Sequence, residues 1–366
     1  MRLRLCTFNI ENLFTRFEFS AFTDRRSQNY LPPIVRFLGD FEGGDFTKFA
    51  DFKRLVEAAT VSQDDDKRQH TALAFAEADA DVYCLQEVDN LDALTRFMDF
   101  YVGKIGVKPY PNLILQEGND PRGIDVAAIT RDIRPAYARS HATLTPAWVD
   151  NTPTGEALLA AFPKAKKQAD DLRGRIFRRD CLELEVIVGD ARVSLFNCHF
   201  KSMGGGRDTS MGMRQLEAIT VREIITRKFD DPANELWAIC GDLNDYRSVI
   251  KVSRADGQLE TIDDLAPHEP SGVDPLFHED FGVNLVNDLP AEDRWTHYYA
   301  SGRHKTQLDY IIASPALAAR MQGTPKIIRG GMPLRVPNLE VDRFPRVGWD
   351  RPKASDHCPV VVEFDI

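Results

Sequence analysis

Long hydrophobic runs are missing from this 366-residue chain: nothing approaches eighteen consecutive apolar residues, which leaves no candidate membrane-spanning helix. Also missing are a Cys-x-x-Cys pair and a Cys/His spacing of the zinc type, although six cysteines occur: Cys6, Cys84, Cys181, Cys198, Cys240 and Cys358. Each lies in or beside an apolar strand-like run such as RLCTF, VYCLQ or WAICGD. The expectation is therefore six buried thiols in a reducing cytoplasm, not a disulfide framework or a metal cluster. There are no repeats, no low-complexity tracts and no linker. Positive charge is in deficit: 46 Lys and Arg against 56 Asp and Glu give a net charge of -10. Such a chain does not gather phosphate backbones by bulk attraction, so a nucleic-acid role needs a local basic cleft. The opening MRLRLCTFNIENLF turns polar at Asn9 and has no small-residue cleavage site. It reads as a first strand, not a signal peptide.

What is present is an ordinary globular balance, 43% hydrophobic and 28% charged. Strand-like segments are residues 3–10, Val82 to Val88, NLILQE, IDVAAITR, LWAICGD, WTHYYA, QLDYIIA and CPVVVEF. LELEVIV and RVSLFNCHF read as a hairpin around Gly189-Asp190. Helices are expected over roughly 67–79, along the face Leu91, Leu94, Met98 and Tyr101, and from Met213 to Lys228. Residues 15–66 read as an insertion, Phe-rich and punctuated by Pro32-Pro33 and Gly43-Gly44, with Phe49, Phe52, Leu55, Val56 and Ala59 at helical spacing. Residues 141–172 read as a surface excursion, and 250–290 carries the weakest pattern. Strands and helices alternate unevenly, which predicts mixed sheets layered with helices.

Short polar clusters stand where apolar strands end, the position at which layered α/β proteins carry functional loops. Glu87 closes DVYCLQEV, placing a carboxylate after a buried run; a hard divalent ion takes such oxygen ligands and keeps its waters. Asn9 and Glu11 share one side of an extended chain and would flank that ion. In Gly241-Asp242-Leu243-Asn244, the i, i+2 spacing puts Asp242 and Asn244 on one face. An ionised Asp can aim or deprotonate water, and the Asn amide can donate to a phosphoryl oxygen. His199 and His357 end separate strands; imidazole supplies charge stabilisation or a proton for a leaving oxygen near neutral pH. Asp309, inside a strand, is placed to accept from a ring N–H and fix the tautomer.

Taken in order, FNIENLF, LQEV, NCHFKS, GDLND, LDYII and SDHCPV resemble the endonuclease/exonuclease/phosphatase superfamily over residues 3–364. The resemblance implies an α/β fold of α+β-type layers, deoxyribonuclease-I-like: a four-layer sandwich of two mixed β-sheets flanked by helices, in one domain spanning 1–366. It implies Glu87 as the principal magnesium ligand with Asn9 nearby and Asp356 close to the metal, and manganese as a substitute ion. Asp242 would orient or deprotonate water and Asn244 would hold the phosphoryl group. His357, paired with Asp309, would bind the scissile phosphate. His199 matches the second histidine of the deoxyribonuclease-I-like and sphingomyelinase-like branches, a candidate acid.

Departures narrow the resemblance. Apurinic endonucleases have a Trp-Asn start and lack a histidine at the place of His199. Inositol polyphosphate 5-phosphatases carry a Pro-Ala-Trp-Cys-Asp-Arg-like motif with no counterpart between Tyr299 and Leu308. His199-Phe200-Lys201-Ser202-Met203-Gly204-Gly205-Gly206 looks like the His-x-Lys-Ser…Gly-Gly run of bacterial nucleases of the superfamily. Lys201, Arg207 and Arg214 form either a phosphate-binding rim, with Asn9 beside it, or part of a turn before a helix. Arg173, Arg175, Arg178 and Arg179 form either a phosphate strip or a solvated sheet edge. The expectation is a magnesium-dependent phosphodiester hydrolase, a nuclease, acting on nucleic acid or another phosphodiester, cytoplasmic and with no obligate protein partner. The alternatives are a small-molecule phosphodiesterase or phosphatase, sphingomyelinase-like members included, and a non-catalytic scaffold on the same fold.

Overall fold

The computed structural model describes residues 1–13, 65–120, 122–253, 259–262 and 269–366. The insertion expected at 15–66, with its helical spacing from Phe49 to Ala59, lies almost wholly outside the described residues.

The chain opens with β1 (Arg2–Leu13), then α1 (Asp65–Ala78), β2 (Val82–Val88), α2 (Leu91–Phe100), β3 (Asn112–Gln116), β4 (Asp125–Thr130) and β5 (Arg134–Ser140). Three short helices follow, α3 (Pro146–Asp150), α4 (Pro153–Ala161) and α5 (Pro163–Asp171), before the hairpin β6 (Cys181–Val188) and β7 (Ala191–His199). The long α6 (Arg207–Lys228) leads to β8 (Trp237–Asp242), β9 (Val249–Val252), β10 (Leu259–Ile262), β11 (Val283–Asn284), β12 (His297–Tyr299) and β13 (His304–Thr306). The chain ends with β14 (Asp309–Ala313), α7 (Pro315–Ala318), β15 (Met321–Ile327) and β16 (Val360–Asp365).

Two six-stranded mixed sheets, ordered β15-β16-β1-β2-β4-β3 and β11-β14-β8-β7-β6-β5, pack face to face. Each contains one parallel pair joined through a helix, β1 with β2 and β7 with β8, while the neighbours of these pairs run antiparallel. Both parallel pairs therefore release their C-terminal ends toward one edge of the sandwich.

Strand parity sorts the side chains. In β1, Leu3 and Leu5 enter the space between the sheets, while Cys6, Phe8 and Ile10 meet α1 and α2. The same split holds in β7, with Val193 and Leu195 inward and Phe196 and Cys198 toward α6, and in β8, with Ala238 and Cys240 inward and Trp237 and Ile239 outward. Each fully buried Leu, Ile, Val or Phe adds about 1.5–3 kcal/mol. The result is the expected four-layer sandwich. A four-stranded sheet, β10-β9-β13-β12, stands beside it and was not legible in the sequence.

Residues 141–172 are not a surface excursion. Val149, Leu158, Leu159, Ala165 and Ala169 are buried against Leu216 and Ile219 of α6. Helix α6 is thus apolar on two sides, with Ala218, Val221 and Ile225 facing the sheet. It starts six residues before the expected Met213, because its first turn is polar and carries no apolar period. The strands missed in the sequence are β5, β9, β10, β11, β13 and β15. Strand β5 (RPAYARS) is an edge strand with no fully buried residue, so it lacks the alternation that marks a strand.

Candidate active site

The inward-facing positions that are Leu and Val at one end of the sandwich become polar toward the other. Gln86 and Asn197 come first and tie the sheets together: the Gln86 amide donates to Asn197 Oδ1 at 2.7 Å, and Asn197 Nδ2 donates to the carbonyls of Leu85 and Ala127. Above them, in the same parity, stand Asn9, His199, Asp242 and Asp309. Register aligns them, since Asp242 lies opposite His199 of β7 on one side and opposite Asp309 of β14 on the other. Gly241 permits this approach. Its φ is 141°, and a Cβ there would lie 1.8 Å from the Cys198 carbonyl oxygen.

Glu87 arrives differently. By strand parity it belongs on the helix side with Tyr83 and Leu85. The pairing of β1 with β2 shifts between Asn9 and Leu13, and that of β2 with β4 shifts between Gln86 and Val88. At these bulges Glu11, Asn12 and Glu87 take positive φ of 49°, 61° and 65°, and Asn244 takes 52° on the other sheet. A non-glycine residue in that region costs on the order of 1–3 kcal/mol, and such strain concentrates at functional sites. The bulge turns Glu87 so that its Oε2 accepts the Asn12 N–H at 3.0 Å.

Asp242 is the hub, 2% exposed. Its Oδ2 accepts from Asn9 Nδ2 at 3.0 Å and Asn244 Nδ2 at 3.1 Å, and its Oδ1 accepts the Asn244 N–H at 2.9 Å. The Nε2 atoms of His199 and His357 approach the same Oδ2 at 3.6 and 3.7 Å. Asp309 Oδ2 lies 2.8 Å from His357 Nδ1 and accepts from Thr296 Oγ1 at 2.6 Å, which fixes the ring. Ser355 holds the approach to His357: its Oγ donates to the Asn9 carbonyl at 2.7 Å and accepts the His357 N–H at 3.1 Å. The structure thus gathers Asn9, Glu87, His199, Asp242, Asn244, Asp309, Asp356 and His357 in one place.

The electrostatics separate the two histidines. Burial works against charge on His357, but Asp309 and Asp242 outweigh it and raise its pKa well above the imidazole range. Burial, helped by Arg179, pushes His199 well below that range. His357 is therefore cationic and His199 neutral. Burial pushes the Asp242 carboxyl up to about 7 against the pull of His357.

Glu87 is raised by burial and then by Asp356. Asp356 is low: burial opposes this, but Lys353, His357 and His297 prevail. Glu87 and Asp356 are near enough for the second to raise the pKa of the first, and such oxygen donors suit a hard divalent cation. Two groups also bring their donor atoms within 4.8 Å of one another: His297, Asp356 and His357, and Asp242, Asp309 and His357. In the second group Asp242 and Asp309 Oδ2 already accept hydrogen bonds, while Asp309 Oδ1 has no partner among the described residues; Glu87 belongs to neither group. Glu11, expected to flank an ion, pairs instead with Lys353 at 3.0 Å and Lys67 at 3.6 Å.

The expected basic rim is corrected. Arg214 is wholly buried and bonds Asp245 Oδ2 at 2.9 Å. Arg207 also bonds Asp245 and the carbonyls of Tyr246 and Pro270, and its guanidinium lies 4.4 Å from the Tyr246 ring centroid. Both arginines are structural ties, because the buried Asp245 carboxylate needs them. Lys201 is only half-buried. In the arginine run, Arg173, Arg175 and Arg178 are exposed, whereas Arg179 is buried, 3.1 Å from Asp120 and donating to the Phe200 carbonyl.

The sequence assigns no site role to Thr296 or to His297, whose ring centroid lies 5.0 Å from that of His357. The stretch WTHYYA reads there only as a strand. A Thr-His pair at the start of a strand was the available signal.

A profile of the Endonuclease/Exonuclease/phosphatase family matches residues 6–357. No curated protein matches in sequence. An endonuclease/exonuclease/phosphatase family protein from Bacteroides thetaiotaomicron is similar in structure at 12% identity and TM-score 0.51, covering 100% of this chain and 99% of the other. SmcL is similar at 13% identity and TM-score 0.51, covering 100% and 99%. Truncated TDP2 from Caenorhabditis elegans follows at 14% identity and TM-score 0.49, covering 100% and 98%. Likeness to the first two supports the sandwich fold.

Proposed function

Because the chain belongs to the endonuclease/exonuclease/phosphatase family, whose members are typically hydrolases of phosphoester bonds, we propose that it is a magnesium-dependent phosphodiester hydrolase acting as a nuclease. The observation that carries this reading is Asp242 Oδ2 between the Nε2 atoms of His199 and His357 at 3.6 and 3.7 Å, where burial lowers the pKa of the first ring and Asp309 and Asp242 raise that of the second. A carboxyl with a pKa of about 7 is matched to accept a proton from water at neutral pH. Asn9 and Asn244 fix its orientation and direct their amides at the same space. His357, held by Asp309, keeps an Nε2–H that stabilises charge growing on the phosphoryl oxygens. His199 is neutral in the free protein, and the negative charge of a bound diester raises its affinity for the proton that the leaving alkoxide requires. Glu87 and Asp356, with Asn9 beside them, would hold the divalent ion, which when bound supplies Lewis-acid stabilisation of phosphate charge.

The test is hydrolysis, with and without EDTA, of plasmid, single-stranded DNA, RNA, a synthetic diester and its matched monoester. The expected result is diester cleavage that EDTA abolishes and magnesium restores, with Glu87→Gln raising the magnesium requirement. A monoester that proves the better substrate, with His199→Ala leaving diester cleavage unchanged, overturns the diester reading. No hydrolysis of any substrate leaves a non-catalytic scaffold.

A further inference from the structure

Beside the site, on the side of α6, a groove of about 600 Å³ opens between the arginine run and the loop after β7. Arg175, Arg178 and Lys201 line it together with the apolar Leu172, Phe177 and Met213. No carboxylate lines it among the described residues, in a chain whose net charge is -10. The nearby acids are engaged elsewhere: Asp120 with Arg122 and Arg179, Glu217 beneath the Lys201 N–H, and Asp170 and Asp171 with Lys166 and Lys167. Arg178 is exposed, and its side chain has no hydrogen-bond or ion-pair partner among the described residues. Among the described residues the Lys201 Nζ reaches only Ser202, donating to its carbonyl at 3.0 Å. Burial, and then Arg179 and Arg178, lower the Lys201 pKa against the pull of Glu217, which marks cations crowded together.

The groove adjoins the catalytic residues through two links. Lys201 lies two residues beyond His199, so the two Cα atoms are at most about 7 Å apart, the scale of one nucleotide step. Arg178 precedes Arg179, which donates to the Phe200 carbonyl at 3.1 Å. We propose that this groove binds a second phosphate of an oligonucleotide strand, one linkage away from the phosphate being cleaved, with Arg178 and Lys201 as its cations. The proposal rests on the phosphodiester reading above and names its substrate class. The volume exceeds what a lone phosphate fills, and Leu172 and Met213 offer apolar wall to a sugar or base. A diester carrying one phosphate, such as a phospholipid headgroup, leaves the groove's cations unused.

Binding decides this independently of turnover. A dithymidine phosphodiester without a terminal phosphate is compared with its 5′- and 3′-phosphorylated forms by titration calorimetry in EDTA at low salt. One phosphorylated form should bind about tenfold tighter than the bare dinucleotide, as one charge-assisted contact implies. Arg178→Ala should abolish that preference and Arg178→Glu should reverse it, with melting temperatures checking that both variants fold. For the preferred form, the slope of log affinity against log salt should shrink by about 0.7 in Arg178→Ala. Equal binding of all three dinucleotides to the unaltered protein overturns the subsite, as does a preference that survives both substitutions. Cleavage without a phosphate preference refutes the subsite alone. A preference without cleavage of any substrate upholds the subsite and refutes the hydrolase reading.

Discussion

The space between the two large sheets has two ends built from the same strands and the same side of each strand, yet in opposite ways. At the closed end Leu3, Leu5, Val193, Leu195 and Ala238 fill it with apolar side chains. At the open end the continuation of those strands places Asn9, His199 and Asp242, with His199 Nδ1 and Asp309 Oδ1 buried and unpartnered. Unpartnered buried polar atoms cost about 1–3 kcal/mol each. The backbone strain at Glu11, Asn12, Glu87 and Asn244 belongs to this end as well. Stability resides at one end, and at the other it is conceded to chemistry.

The largest effect that tests this contrast is at the open end. Asp242→Asn should lower turnover on the order of a hundredfold or more while leaving the melting temperature within a few degrees of the parent; equal turnover would remove Asp242 from the mechanism. At the closed end the consequences swap. Leu195→Ala should cost about 2–5 kcal/mol of unfolding free energy in a urea titration, with the rate per folded molecule unchanged.

A third test concerns the histidines. In metal-free protein, imidazole nitrogen shifts should show His357 protonated and His199 neutral at pH 7.5. The raised pKa of His357 contributes stability that is fully present below its unfolded value and is lost as pH rises through the folded value. The lowered pKa of His199 acts the other way, favouring unfolding as pH falls below the ordinary imidazole value. Two neutral rings would break the assignment of separate roles.

Two buried carboxylates sharpen the comparison with a smaller effect. Burial pushes Asp242 up to about 7. Glu183, away from the site, is buried too, but His141, Lys228 and Tyr137 outweigh that burial and hold it down to about 2. A depressed carboxyl contributes stability above its unfolded pKa that is lost as pH falls through its folded pKa. Between about pH 4.5 and 2 the parent should lose stability more steeply than Glu183→Gln, by up to about 1.4 kcal/mol per pH unit. The smallest expected effect is none. All six cysteines are buried and free, so thiol reagent should titrate six only in denaturant, and reductant should not move the melting temperature.

The fold was legible where strands are buried on both faces: Val82–Leu85 is a continuous apolar run, and apolar residues predominate in the two strands around Gly189-Asp190. It was illegible in β5 and β15, edge strands whose partial exposure erases the pattern. At the site, His199 and Asp242 end their strands, Asp309 begins one and Asn9 lies inside β1, and parity alone groups the four. Glu87 escapes that logic, because only a bulge turns it toward them. Arg207 and Arg214 looked free because a sequence shows charge but not partners, and Asp245 is their partner. Residues 141–172 misled because small apolar residues on short helices look soluble until α6 covers them.

The place of β1 has a consequence for how the protein is made. It lies between β2 and β16, and Ser355, which meets Asn9 across 346 positions, is made long after it. A ribosome-bound chain therefore carries an uncovered flank on β1 until β16 is made, exposed to pairing with other chains. The candidate site lacks His357 throughout that time. It is assembled only once β16 docks against β1.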